Sequence, residues 1–265
     1  MSSHIMVFDS GIGGTTVLAH IQTLLPHAQL SYFMDNAYLP YGKLSPETIV
    51  ARLTSLLQYI ETQQLRVDIL VIACNTASTL ALTKVRELTD IPVVGVVPAI
   101  KPATLLTNTK RIGLLATPAT VANCYTQQLI AQYGANTVVD LYSSVELVAI
   151  AEHLYYSGEF EQAKFTQEMD RLAVKTNTDV LVLGCTHFPI LSQPIDSFYD
   201  GKIKLLDSGA AIAKRVATLI GGQNYSKLTA NNNSYRISQK KPLHYYATAS
   251  VLTNKLTVEQ VKLID

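Results

Sequence analysis

Asp68-Ile69-Leu70-Val71-Ile72-Ala73-Cys74-Asn75-Thr76 runs from an acid through an unbroken apolar segment into a cysteine and two small polar residues. An apolar run this short, bounded by polar residues, predicts a strand buried on both faces, as in a parallel sheet. The pattern returns as Asp179-Val180-Leu181-Val182-Leu183-Gly184-Cys185-Thr186-His187, with the two aspartates and the two cysteines both 111 positions apart. Strands of one sheet type share vocabulary, but the matched cysteine makes chance the weaker account. Two copies in register predict a duplicated α/β fold.

Working outward, short apolar runs alternate with amphipathic stretches, as expected for parallel sheets covered by helices. Ile5-Met6-Val7-Phe8 predicts the first strand; it opens into Asp9-Ser10-Gly11-Ile12-Gly13-Gly14, then a helix over 15–25. A strand is expected at 30–34, then a loop holding Pro40-Tyr41-Gly42. Ser45-Pro46-Glu47 reads as N-cap, first-turn proline and first-turn acid of a helix to about Gln64. After the first cysteine strand come a helix over 78–89 and a strand at 93–97 stopped by Pro98.

A second unit starts at Arg111-Ile112-Gly113-Leu114-Leu115, with the loop Ala116-Thr117-Pro118 placed like the Asp9 loop. It continues with a strand at 137–141, helices over 146–156 and 159–175, and the second cysteine strand. Lys204-Leu205-Leu206 leads into a helix to about Ile220. The Asn-rich 223–233 predicts an exposed loop, and the remainder short strands near Tyr235 and Tyr245 plus a helix. The expected organisation is two pseudo-symmetric, parallel-sheet (flavodoxin-like) α/β domains, 1–98 with 207–265 and 99–206, with the active site in the cleft between them.

Ligands of open parallel sheets bind at the carboxyl ends of strands, and Asp9, Cys74, Thr117 and Cys185 all fall there. A lone cysteine is more often a packing residue; two at equivalent strand ends reverse that expectation. Beside a helix N-terminus, a semi-exposed thiol is expected to have a pKa lowered from about 8.5 towards neutrality. Cys124 serves as the contrast, expected mid-helix and structural. His187 stands two residues after Cys185, in reach of its proton, although an isolated histidine is more often a surface or satisfied core residue. Asp9 has an evenly weighted alternative as an Asx-turn or cap. Ser10, Asn75, Thr76, Thr117 and Thr186 add hydroxyl and amide groups that, with helix-start N–H groups, suit carboxylates. Thiols facing one another across a pseudo-twofold suit the addition and removal of a proton on opposite faces of one carbon.

Other classes receive little support. The chain of 265 residues is 48% hydrophobic and 15% charged with a net charge of +1, which argues against nucleic-acid binding. No apolar run approaches membrane-spanning length, and Met1-Ser2-Ser3-His4 lacks signal-peptide regions. Three cysteines without a Cys-x-x-Cys pair or a Cys/His cluster predict free thiols in a reducing cytoplasm and no metal site. Gly11-Ile12-Gly13-Gly14 lacks the third spaced glycine of a dinucleotide fingerprint and the lysine of a P-loop. No lysine stands out as a pyridoxal phosphate anchor. Chemistry without a cofactor is expected.

On these residues the sequence resembles the cofactor-independent bacterial glutamate racemases of the aspartate/glutamate racemase superfamily. Asp9-Ser10-Gly11-Ile12-Gly13-Gly14, Pro40-Tyr41-Gly42, Ala73-Cys74-Asn75-Thr76 and Gly184-Cys185-Thr186-His187 carry the likeness, which fades after about Gly221. The resemblance implies that Cys74 removes the α-proton of D-glutamate while Cys185 delivers one to the opposite face, the roles exchanging for L-glutamate. It implies that Asp9 assists Cys74 and His187 assists Cys185, with Glu152 an auxiliary acid. It assigns Asp9, Ser10, Tyr41, Gly42, Asn75, Thr76, Thr117, Thr186 and His187 to substrate binding. It further implies a homodimer that supplies D-glutamate for peptidoglycan. Tyr38 stands where many relatives have arginine, and Ser143-Ser144 replaces a more usual Ala-Cys-Pro context.

The residues alone leave sister activities open, namely an aspartate or hydantoin racemase on the same scaffold. A single-cysteine decarboxylase fits less well because both positions are filled. A thiol hydrolase built on Cys185 and His187 leaves Cys74 unexplained. A non-enzymatic small-acid binding protein leaves both thiols incidental.

Overall fold

Two parallel sheets organise the chain, and their strands follow the same order. The structure is a computed structural model and describes residues 3–134, 136–221, 243–251 and 256–263. In chain order the elements are β1 (His4–Asp9), α1 (Thr15–Leu24), β2 (Gln29–Met34), α2 (Pro46–Thr62), β3 (Ile69–Ile72), α3 (Asn75–Glu87) and β4 (Val93–Gly95). Then follow α4 (Ile100–Leu106), β5 (Arg111–Ala116), α5 (Pro118–Ala122), α6 (Cys124–Tyr133), β6 (Val138–Ser143), α7 (Glu146–Ser157), α8 (Gln162–Leu172) and β7 (Val180–Leu183). The last are α9 (Ser192–Phe198), β8 (Lys204–Leu206), α10 (Gly209–Gly221), β9 (Leu243–Ala247) and β10 (Val258–Gln260).

The first sheet has the order β10-β9-β2-β1-β3-β4 and the second β6-β5-β7-β8, with every pairing parallel. The run β2-β1-β3-β4 therefore maps onto β6-β5-β7-β8, which is the duplication that the repeated cysteine segment predicts. The central strands β1, β3 and β7 are buried along their whole length, as a sheet covered on both faces requires. The matched aspartates act as braces: Asp68 accepts a bond from His4 N at 2.8 Å and Asp179 from Asn108 N at 2.6 Å. Each ties the foot of a cysteine strand to the start of its neighbour. In the first sheet's core, α10 contributes Ile212, Ala213, Val216 and Ala217 alongside Val17, Leu18 and Ile21 of α1.

Local signals place the helix starts. Ser45 caps α2 by accepting from Thr48 N at 3.2 Å, with Pro46 in the first turn. Thr117 caps α5 the same way through Thr120 N. Cys74 itself occupies the N-cap of α3, so that helix begins at Asn75 rather than near Ser78.

Other differences lie at element ends. β4 stops at Gly95, two residues short of the expected end. α8 is trimmed at both ends and closes at Ala173, whose φ of 47° is left-handed. The loop of 36–42 is two short 3₁₀ turns, Asn36–Tyr38 and Tyr41–Lys43, on either side of a cis Leu39–Pro40 bond. Among the described residues beyond β9 there is a strand, β10, where a helix is expected; it extends the sheet by pairing with β9. The expected loop at 223–233 and strand near Tyr235 lie outside the described residues.

Candidate active site

Cys74 follows β3 and Cys185 follows β7, so both thiols sit where a buried strand hands over to the next helical turn. Each is 6% exposed. A negative charge on Cys185 opposes one on Cys74. Around them Asp9, Ser10, Asn75, Thr76, Thr117, Thr186 and His187 are all buried.

On the first side, Ser10 Oγ lies 3.9 Å from Cys74 Sγ and 3.4 Å from Asp9 Oδ1. Asp9 thus reaches Cys74 through Ser10. Its Oδ1 also accepts from Gly11 N at 3.1 Å, so the Asx-turn role holds as well. Its Oδ2 accepts from Thr186 Oγ1 at 2.8 Å, which joins the two strand ends. Burial raises the Asp9 pKa, against the opposing effects of the His187 charge and the Thr186 and Gly11 bonds.

On the second side, His187 Nδ1 is 3.7 Å from Cys185 Sγ, and Nε2 donates to Glu152 Oε1 at 2.6 Å. Glu152, from α7, also accepts from Ile12 N at 2.9 Å. Burial opposes a charge on His187, but its bonds to Cys185 and Glu152 outweigh that and hold its pKa well above the ordinary value. The Gly11-Ile12-Gly13 loop packs directly on this imidazole. A Cβ at Gly13 would lie 2.5 Å from His187 Nδ1 and 2.7 Å from Thr186 Oγ1. The glycines allow this close approach between the two halves.

The expected lowering of the thiol pKa does not occur at Cys74. Burial comes first and the nearby Asp9 charge second, and together they push it well above the usual thiol range despite bonds from Ala77 N and Ser10. At Cys74 the desolvation of the buried sulfur outweighs what a helix N-terminus offers a thiolate.

The polar groups expected to hold a substrate converge in part. Thr76 Oγ1 is 2.9 Å from Thr117 Oγ1 and 3.3 Å from Thr120 Oγ1, a hydroxyl cluster joining the starts of α3 and α5. Asn75 Nδ2 is buried with no hydrogen-bond partner among the described residues. Gly42 sits against Thr117, where an added Cβ would meet Thr117 Cβ at 2.8 Å. Tyr41 turns its hydroxyl away, donating to Asp35 Oδ2 at 2.6 Å, while its ring joins Phe8 and Cys74 in one buried cluster. Cys124 is not mid-helix. It is the first residue of α6, after the cap Asn123, and is exposed, so it packs no core. Among the described residues no group of three or more His, Cys, Asp or Glu side chains could hold a metal ion.

A buried ion pair beside the site goes beyond the residues singled out from sequence. Asp35 accepts from Arg52 through Nε and Nη2, both at 2.9 Å, and the Arg52 guanidinium lies 4.1 Å from the centre of the Tyr38 ring. Two signals were present. Asp35 follows β2 as Asp9 ends β1, and Arg52 lies on the apolar stripe of α2 with Ile49, Leu53 and Leu56.

Against known proteins, the Asp/Glu/Hydantoin racemase family matches residues 15–216. The glutamate racemase of Shewanella oneidensis is 46% identical over 251 residues, covering 95% of this chain and 90% of that one. The crystal structure of Escherichia coli glutamate racemase in complex with L-glutamate and the activator UDP-MurNAc-ala superposes with a TM-score of 0.86 at 32% identity, covering 100% of both chains. The crystal structure of glutamate racemase from Francisella tularensis in complex with D-glutamate gives 0.73 at 28% identity, covering 98% of both. No helix among the described residues is long and apolar enough to cross a membrane.

Proposed function

The chain belongs to the Asp/Glu/Hydantoin racemase family, and we propose that it interconverts L- and D-glutamate by proton transfer between Cys74, Cys185 and the α-carbon. The observation that carries this reading is the pair of buried thiols at corresponding strand ends, each backed by a group held from the opposite half. From D-glutamate, the Cys74 thiolate takes the α-proton and the Cys185 thiol delivers one to the other face. From L-glutamate the roles exchange.

The surroundings of each sulfur suit its task. Burial that raises the Cys74 pKa leaves few thiolates at neutral pH, but each is a stronger base and closer in proton affinity to an α-carbon. On the other side, the protonated His187, anchored by Glu152, stabilises the Cys185 thiolate and can return its proton. A buried amide without a partner costs roughly 1–3 kcal/mol, so Asn75 Nδ2 suits a substrate carboxylate. The Thr76, Thr117 and Thr186 hydroxyls and the Ser10 loop complete the cradle. With the thiols enclosed, bulk water is kept from the carbanionic carbon.

That these relatives are glutamate racemases supports glutamate over the sister substrates. By the same likeness we assign the reaction to the cytoplasm, without a cofactor, in a homodimer that supplies D-glutamate for peptidoglycan. The test is incubation of each glutamate enantiomer with the enzyme in deuterium oxide. Deuterium is expected at the α-carbon, with inversion, in both directions. No exchange with either enantiomer would overturn the reading; exchange with aspartate alone would keep the chemistry and change the substrate.

A further inference from the structure

The pairing of β9 with β2 ends at Ala247 and Met34, and Thr248 N adds one more ladder-like bond to Met34 O at 3.1 Å. Beyond that point the C-terminal segment bonds to side chains instead. Thr248 Oγ1 donates to Asp35 Oδ1 at 2.8 Å and accepts from Ala37 N at 3.0 Å. The Asn36 side chain pairs reciprocally with the backbone of Ala249, its Nδ2 donating to Ala249 O at 3.1 Å and its Oδ1 accepting from Ala249 N at 2.8 Å. These bonds grip the turn that carries Pro40-Tyr41-Gly42, and no strand pairing requires them.

The grip leads to Cys74 in two steps. Asp35 is fully buried, and its carboxylate gathers Thr248, both Arg52 donors and the Tyr41 hydroxyl. Tyr41, so anchored, packs its ring in the cluster that holds Cys74, and the next residue, Gly42, sits against Thr117. We propose that Thr248 and Ala249 are positioning residues for the Cys74 half of the reaction, acting on the thiol through Asp35, Asn36 and Tyr41. This rests on the two-thiol reading above. Its physical basis is that a reacting group displaced by about 1 Å loses up to ~10²-fold in rate.

The two halves of the reaction separate by isotope effect. If Cys74 is displaced, transfer at that sulfur limits both directions. The effect on kcat/KM then rises for α-deuterated D-glutamate, whose labelled bond breaks at Cys74. It falls for α-deuterated L-glutamate, whose labelled bond breaks in the step at Cys185 that has ceased to limit.

Thr248→Val is expected to lower kcat/KM roughly tenfold with this opposed shift, and Thr248→Ser, which keeps the hydroxyl, to restore both values. Should Thr248→Val fail to fold, Asn36→Ala removes the reciprocal pair alone and carries the same expectation. Unchanged isotope effects, or a loss of activity with neither effect moved, would overturn the proposal, because a smaller folded fraction changes amount and not the limiting step. A wild-type enzyme without glutamate turnover would instead overturn the underlying reading.

Discussion

The Asp9 carboxylate accepts a hydrogen bond from Thr186 Oγ1 at 2.8 Å, so the acid beside Cys74 is held by the residue that follows Cys185. The converse also holds: Glu152, which fixes His187 beside Cys185, is itself held by Ile12 N from the loop after Asp9. The groups beside the two thiols are thus tied across the two halves, so the proposed two-thiol arrangement requires the two sheets to be seated together.

Glu152→Gln should destabilise the protein in a pH-dependent way. The folded-state pKa of His187 is raised, so its stabilising contribution is complete below the unfolded value of about 6.5 and is lost as pH rises through the folded value. Urea denaturation should put the variant below wild type by roughly 1–3 kcal/mol near pH 6, with the gap narrowing at alkaline pH. A gap that widens with pH contradicts the assignment.

Arg52→Met should be more severe than its distance from the thiols suggests. Asp35 is fully buried and Arg52 is 4% exposed; removing one member of such a pair costs about 3–5 kcal/mol. A fall in melting temperature on the order of 10 °C follows for a chain of this size. A melting temperature near that of wild type would show that Tyr41 and Thr248 alone satisfy Asp35.

Alkylation with iodoacetamide, read by peptide mass spectrometry, should label exposed Cys124 first. Cys74 should react slowly at neutral pH because its thiol is pushed up by burial and by Asp9. Since the thiolate fraction keeps growing until the raised pKa is reached, the Cys74 rate should still climb above pH 9. A plateau at the ordinary thiol value of about 8.5 would contradict this.

Gly13→Ala should cut kcat/KM on the order of 10²-fold. The added methyl collides with His187 Nδ1 and Thr186 Oγ1, groups fixed by their own bonds, so the loop or the imidazole must shift. Steady-state kinetics on the folded variant checks it, and wild-type activity would show that the loop yields freely.

The repeated segment ending at Cys74 and Cys185 made the duplication legible because buried parallel strands are read from apolar runs, and the register survived as an offset. His187 was visible beside Cys185 for the same local reason. Other features depend on contacts between distant segments. That Glu152 meets His187 depends on how α7 packs against the loop after β7, and that Asp35 meets Arg52 and Thr248 depends on three elements far apart in sequence. The raised pKa of Cys74 is not legible in the sequence, because a helix start is a sequence feature whereas depth of burial is not. Cys124 stands at a helix start and not mid-helix because Asn123 breaks the run into α5 and α6, a cap that hydrophobic periodicity does not reveal.

The most direct measurement of the two-thiol account is racemisation by Cys74→Ser and by Cys185→Ser, each assayed from D- and from L-glutamate. Each single substitution is expected to abolish racemisation in both directions, because every turnover needs one sulfur to take the proton and the other to give one. Full activity in either variant would contradict the account.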